Sequence, residues 1–261
     1  AGGAKLALFS NPTQTSGTFF EAFHAKREFW RGIHVRSTET PEIPGLATRA
    51  WCEEKKREWG EQSPLYQVRV LGNFPAAGSN SVVSFMELEA AKERWADQRL
   101  DEGGPLHVGV DVARFGDDDT VVVARRGKRI LSITAVHGLD VVQVAGKVLE
   151  VVKGHAEKRE VANVSVDTIG IGAGVADVLR QNKVVEVFDV NSSEKALAEG
   201  EFFNLRSELA FGVAQWISDG GALPDDGALE AELLSLRYSF DSRGRRRVAS
   251  KDDIKKVLGR S

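Results

Sequence analysis

Apolar and polar residues alternate along this chain in two rhythms, and the change between them falls near residue 105. Before it, the stretches Phe19 to Trp30, Leu46 to Gly60 and Met86 to Gln98 mix charged and apolar residues at helical spacing. Two shorter apolar runs, Lys5 to Phe9 and Gln67 to Leu71, read instead as strands. Ser10-Asn-Pro-Thr13 stops the first, and Gly72 and Pro75 stop the second. Pro41 and Pro44 punctuate the connection over 38–44. The segment 101–105, Asp-Glu-Gly-Gly-Pro, is the clearest linker and divides the chain into a domain over 1–100 and a second over 101–261.

Beyond the linker the pattern becomes a regular α/β series. His107 to Asp111, Thr120 to Arg125 and Ile130 to Val136 are three apolar strands joined by short turns, which predicts antiparallel pairing. Asp140 is placed to cap a helix carrying Val141, Val144, Ala145, Val148, Val151 and Val152 on its inner side. A fourth strand over Asn163 to Asp167, a short helix with Val175, Val178 and Leu179 inward, and a fifth strand over Val184 to Val190 follow. A longer helix presents Leu205, Leu209, Val213, Trp216 and Ile217 on one face. A helix over Leu229 to Leu236 and a hairpin turning near Gly244 close the series. This succession of elements resembles the ribonuclease H-like fold, a five-stranded mixed sheet in the order 3-2-1-4-5 flanked by helices. In that topology the first and fourth strands run parallel side by side.

Both of those strands finish on a carboxylate, Asp111 and Asp167. Ligands of open parallel sheets gather outside the carboxyl ends of the strands. Two acids facing one point there would hold a divalent cation against phosphate. A single strand-end Asp more often only caps the turn that follows it, so the pairing carries the reading. Asp117, Asp118 and Asp119 lie in the turn after the first strand, and Asp118 is a candidate outer ligand. The turn Gly170-Ile-Gly-Ala-Gly174 follows a strand and opens a helix, but position 175 is Val where a dinucleotide-binding fingerprint needs its third glycine. Those glycines are read instead as letting the backbone pass close to a metal-bound phosphate.

Composition narrows the partners. At 261 residues, with 42% apolar and 28% charged residues, the chain can bury a substantial core. A net charge of −3 argues against a globally basic nucleic-acid binder. The charge is uneven, however: Arg237 to Arg260 contains nine Lys or Arg against three Asp. Arg243, Arg245, Arg246 and Arg247 crowd one hairpin, a composition suited to phosphate contacts or simply to a solvated surface. The lone Cys52 allows no internal disulfide and no cysteine zinc site, and the five histidines lack metal-ligand spacing. No apolar run approaches the length of a membrane span, and the first residues carry no signal-peptide pattern. The expectation is a soluble intracellular protein without a membrane partner.

Six segments, in order, resemble the large terminase subunit of tailed double-stranded DNA bacteriophages. Ser10-Asn-Pro-Thr13 with Gly17-Thr-Phe-Phe20 is similar to the coupling segment late in the motor ATPase domain, and Val70 to Pro75 to the exit into the connector. Gly109 to Thr120 and Val166 to Gly174 resemble the first and second nuclease motifs. Phe203 to Leu209 and Ser250 to Ser261 resemble later segments. The resemblance implies a remnant of a P-loop ATPase domain over 1–100, followed by a ribonuclease H-like nuclease domain truncated at its C-terminus. The nucleotide-binding loop of the motor is absent, which implies no ATP hydrolysis by this polypeptide.

Carried onto this sequence, the family's chemistry is a two-metal site for Mg²⁺ or Mn²⁺ on Asp111 and Asp167, cutting double-stranded DNA. The family's third acid would lie beyond Ser261. Lys251 stands where the family has a lysine near the active centre, and Asp252 and Asp253 read as helix-capping residues. Implied partners are double-stranded DNA, the portal and the small terminase subunit, in the host cell cytoplasm. The rival readings are a junction-resolvase-like nuclease of the same fold, and a remnant that binds DNA or packaging partners without cutting.

Overall fold

The computed structural model describes residues 5–13, 17–40, 43–74, 80–97, 103–113, 119–158 and 160–250. The chain forms two compact units. One is drawn from Ala1–Glu89, Asp225–Ser239 and Val248–Ser261, the other from Ala90–Pro224 and Phe240–Arg247.

The first unit is helical. Helix α1 (Gly17–Phe23) brings Phe19, Phe20 and Phe23 around Phe74, with ring centroids 5.1–6.0 Å from it. Helix α2 (Arg49–Trp59) begins where the Thr48 side chain accepts the Trp51 N–H, and ends at Gly60, whose φ of 82° suits glycine. Helix α3 (Pro64–Arg69) starts on a Ser63 cap with proline in its first turn, and buries Leu65, Tyr66 and Val68. Helix α4 (Phe85–Ala96) follows, its residues from Ala90 onward being counted with the second unit.

Three sequence expectations fail in this unit. The predicted strand over Gln67 to Leu71 overlaps α3: its Val and Leu content suggested β structure, but the Ser63-Pro64 start and burial of the apolar positions favour a helix. Lys5 to Phe9 forms no strand, and Leu6 and Phe9 are exposed. No strand among the described residues pairs with this run, and an unpaired strand cannot satisfy its backbone. The helix expected over Phe19 to Trp30 stops at Phe23, where the Lys26 N–H reaches back to the Glu21 carbonyl; a separate 3-10 turn covers Arg27–Phe29.

In the second unit, β1 (Leu106–Asp111), β2 (Thr120–Arg126), β3 (Arg129–Val136), β4 (Ala162–Asp167) and β5 (Val185–Val190) form one sheet in the order β3-β2-β1-β4-β5. The first three pair antiparallel and β1–β4 is parallel, as expected from the fold resemblance; β4–β5 is parallel as well. Helix α5 (Val141–His155) starts in a reciprocal cap between Asp140 and Gln143. With α6 (Gly172–Leu179) it covers one face of the sheet. Val108, Val110, Val122, Val164 and Val166 from the strands meet Val144, Val148, Val175 and Leu179 from the helices in a closed apolar core. Helix α7 (Leu205–Ser218) sets Trp216 beside the Arg125 guanidinium, which alternation places on the opposite face. Its expected apolar stripe is only partly covered: Ile217 is buried, but Leu209 and Val213 are exposed. Helical spacing states which residues share a side, not whether the fold covers it.

Opposite the carboxyl end of β1, a largely buried ion pair links β1 and β2 to the segment just before β4. Arg126 and Glu160 meet at 2.7 Å, and Glu160 also accepts the Leu106 N–H at 2.7 Å. Helix α8 (Gly227–Ser235) belongs to the first unit, and a short hairpin pairs β6 (Tyr238–Phe240) with β7 (Arg246–Val248). Among the described residues no helix is long and apolar enough to cross a membrane.

Candidate metal centre

The site follows from strand register. Parallel pairing sets Val110 beside Val166, so the next residues, Asp111 and Asp167, end adjacent strands at the same edge of the sheet. Both valines point into the core under α5 and α6. Alternation therefore turns both aspartates to the other face. Asp111 is exposed and Asp167 half-buried.

Asp167 is held in place. Its Oδ1 accepts the Ile169 N–H at 3.0 Å, and its Oδ2 lies 3.5 Å from the Ser192 hydroxyl. Ser192 was not singled out in the sequence. It sits just past Val190 at the carboxyl end of β5, and only the β4–β5 pairing discloses that position.

The turn out of β4 explains its glycines differently from the sequence reading. Gly170 has φ of 74°, and a Cβ on Gly172 would stand 1.9 Å from the Asp167 carbonyl oxygen. A Cβ on Gly174 would meet Val141 at 3.3 Å, where α6 packs on α5. The glycines thus serve a tight strand-to-helix turn and close helix packing. Gly172→Ala is expected to destabilise the fold by about 2–3 kcal/mol, because the overlap is with backbone. The Asp167 backbone would have to shift to admit the methyl group. A wild-type urea midpoint for this variant would contradict the account.

Asp117 and Asp118 lie outside the described residues, as do Lys251, Asp252 and Asp253. Asp119 is described, and its Oδ1 is 3.1 Å from His137 Nδ1, with both side chains more than half exposed. This pair extends the β2–β3 register one step past Thr120 and Val136. No histidine was given a role from the sequence, because the contact depends on strand pairing. Among the described residues no group of three His, Cys, Asp or Glu side chains is arranged to hold a metal ion. The two strand-end carboxylates nevertheless supply hard oxygen donors, the kind Mg²⁺ and Mn²⁺ take.

The hairpin arginines differ from one another. Arg245 makes an ion pair with Asp241 at 2.7 Å, and Arg246 pairs with Glu201 at 2.5 Å. The Arg245 N–H, its guanidinium and the Arg243 N–H hold the Asp241 carboxyl below its ordinary pKa. Arg243 and Arg247 are exposed. Asn204 and Glu208 act inside the fold: Asn204 caps α7 through the Ser207 N–H, and Glu208 accepts the Leu197 and Ala198 N–H groups.

No family model matches the chain. It is 25% identical over 274 aligned residues to a probable terminase large subunit of Enterobacteria phage P7, covering 97% of this chain and 54% of that protein. The chain therefore spans about half the length of this curated relative. In structure it is similar to the nuclease domain of the large terminase subunit gp2 of bacterial virus Sf6, with a TM-score of 0.57 and 18% identity, covering 69% of this chain and 92% of that one. A mutant of the same Sf6 domain with manganese and beta-thujaplicinol gives the same TM-score, identity and coverage. At this identity the structural likeness speaks for the fold, which is ribonuclease H-like with the sheet order described above. The likeness in sequence, to a terminase large subunit, and the likeness in fold, to terminase nuclease domains, point the same way.

Proposed function

We propose that this chain is a divalent-metal-dependent endonuclease of the phage DNA-packaging machinery, cutting double-stranded DNA at Asp111 and Asp167. One observation carries the reading: parallel pairing of β1 and β4 brings two carboxylates to the same edge and face of the sheet. The manganese complex of the Sf6 domain, which shares the fold, supports Mn²⁺ or Mg²⁺ as the ion. Divalent ions would supply neutralisation of the phosphodiester charge and activation of water. The chain would supply ligands through Asp111 and Asp167, with Ser192 and the Ile169 N–H fixing the Asp167 carboxylate. Asp118 remains a proposed outer ligand. The hairpin with Arg243, Arg245, Arg246 and Arg247, together with Lys251, is the proposed DNA-binding surface.

The further reading follows the same family. The portal and small terminase subunit are the proposed partners, and the host cell cytoplasm the proposed place of action. Residues 1–100 are proposed to be the end of a motor ATPase domain.

Incubation of the purified chain with supercoiled plasmid and Mn²⁺ tests the nuclease. Linear product is expected, abolished on chelation and restored when metal is added back. Cleavage untouched by chelator would remove the metal from the proposal. DNA retention without any cutting would instead identify a binding remnant, and preference for four-way junctions over linear duplex would identify a resolvase.

A further inference from the structure

The four hairpin arginines are equivalent in sequence but not in the fold. Arg246 is tied on every side. Its N–H donates to the Glu201 carbonyl at 2.7 Å, and its own carbonyl accepts the Phe203 N–H at 2.9 Å. Its guanidinium pairs with Glu201 and lies 4.3 Å and 4.7 Å from the ring centroids of Phe202 and Phe211. Arg245 closes the hairpin turn, with its N–H on Asp241 Oδ1 and its Nε on Asp241 Oδ2, at 2.9 Å and 2.8 Å. In both cases a carboxylate already answers the charge, so a DNA phosphate would have to displace it. Arg243 and Arg247 have no carboxylate partner among the described residues, and both are exposed. Arg247 lies over the exposed ring of Phe203, 4.5 Å from its centroid. A stacked guanidinium keeps its donors in the plane of its edge, where they remain open to an anion.

We infer a division of labour within this surface: Arg243 and Arg247 contact phosphate, while Arg245 and Arg246, with Asp241 and Glu201, are positioning residues that fasten the hairpin to the 201–211 segment. The inference rests on the proposed DNA-binding role of the hairpin. It assigns Glu201, Phe202 and Phe211, which lie far from the hairpin in sequence, to building that surface. The charge of the four-arginine run therefore overstates the number of phosphates it neutralises.

Counterion release gives a direct count. On B-DNA the slope of log K against log salt falls by about 0.9 for each phosphate that the protein ceases to neutralise. Single glutamine variants at the four positions keep the side-chain stem and remove the charge; each is measured in the full chain on a short linear duplex, alongside a thermal melt. Arg243→Gln and Arg247→Gln are each expected to lower the slope by about 0.9, making affinity about 3.5-fold less sensitive to salt between roughly 50 and 200 mM. Arg245→Gln and Arg246→Gln are expected to keep the wild-type slope while lowering the melting temperature. An equal drop in slope at all four positions, or a drop only at 245 and 246, would overturn the division while leaving the hairpin a DNA surface. Wild-type binding that does not vary with salt would overturn the division together with the DNA-binding reading beneath it.

Discussion

Exchanging Asp111 for asparagine is expected to lower Mn²⁺-dependent plasmid cleavage by about 100-fold or more, with the fold intact. Groups that only orient a metal ligand cost about 10–100-fold when removed, so loss of a proposed ligand itself should cost at least as much. Asparagine keeps the shape of the side chain but not its charge, and that charge is what makes a strand-end carboxylate a ligand for hard cations. Asp111 is exposed at its strand end, so stability should stay within about 0.5 kcal/mol of wild type. Asp167→Asn should impair cleavage to the same degree. It should also cost a little stability, since its carboxylate accepts the Ile169 N–H and lies beside Ser192. Undiminished cutting by purified Asp111→Asn protein would end the case for this centre.

The second large effect is on stability. Replacing Arg126 by alanine is expected to cost about 3 kcal/mol or more, because it leaves Glu160 charged in a site that is mostly out of water. The guanidinium also donates to the Gly104 and His155 carbonyls, which lose a partner as well. Hydrogen bonding from Arg126 lowers the Glu160 pKa from its ordinary 4.5 to about 2, helped by the Glu157 and Leu106 N–H groups. A depressed carboxylate stabilises the folded state above its unfolded pKa, and that contribution disappears as pH falls through the folded one. The wild-type advantage over Arg126→Ala should therefore be complete near neutrality and shrink between pH 4.5 and about 2. Urea unfolding of both proteins across that range measures it; a constant difference down to the lowest pH would remove the pair as its source.

The second unit was readable because its elements are punctuated. Apolar strands broken by short turns gave the antiparallel pairs, and the order of elements gave the parallel neighbour of β1. The first unit was less readable. Residues 67–71 carry Val and Leu that favour strands in isolation, and the decisive signals, Ser63 and Pro64, stand just before them. Asp111 and Asp167 could be singled out because each ends a strand. Ser192 and the Asp119–His137 pair could not, since their positions depend on register rather than on any local pattern. The arginine cluster was visible as charge, but the carboxylate answering Arg246 is Glu201, which no spacing rule connects to it.

Because β1 and β4 run parallel, the chain must lay down β2, β3 and α5 before its two strand-end acids can meet. Pairings so distant in sequence are among the slower ones to form. A ribosome-bound chain that has emerged only as far as α5 would hold one of the two carboxylates, so the proposed site cannot assemble until β4 has been made.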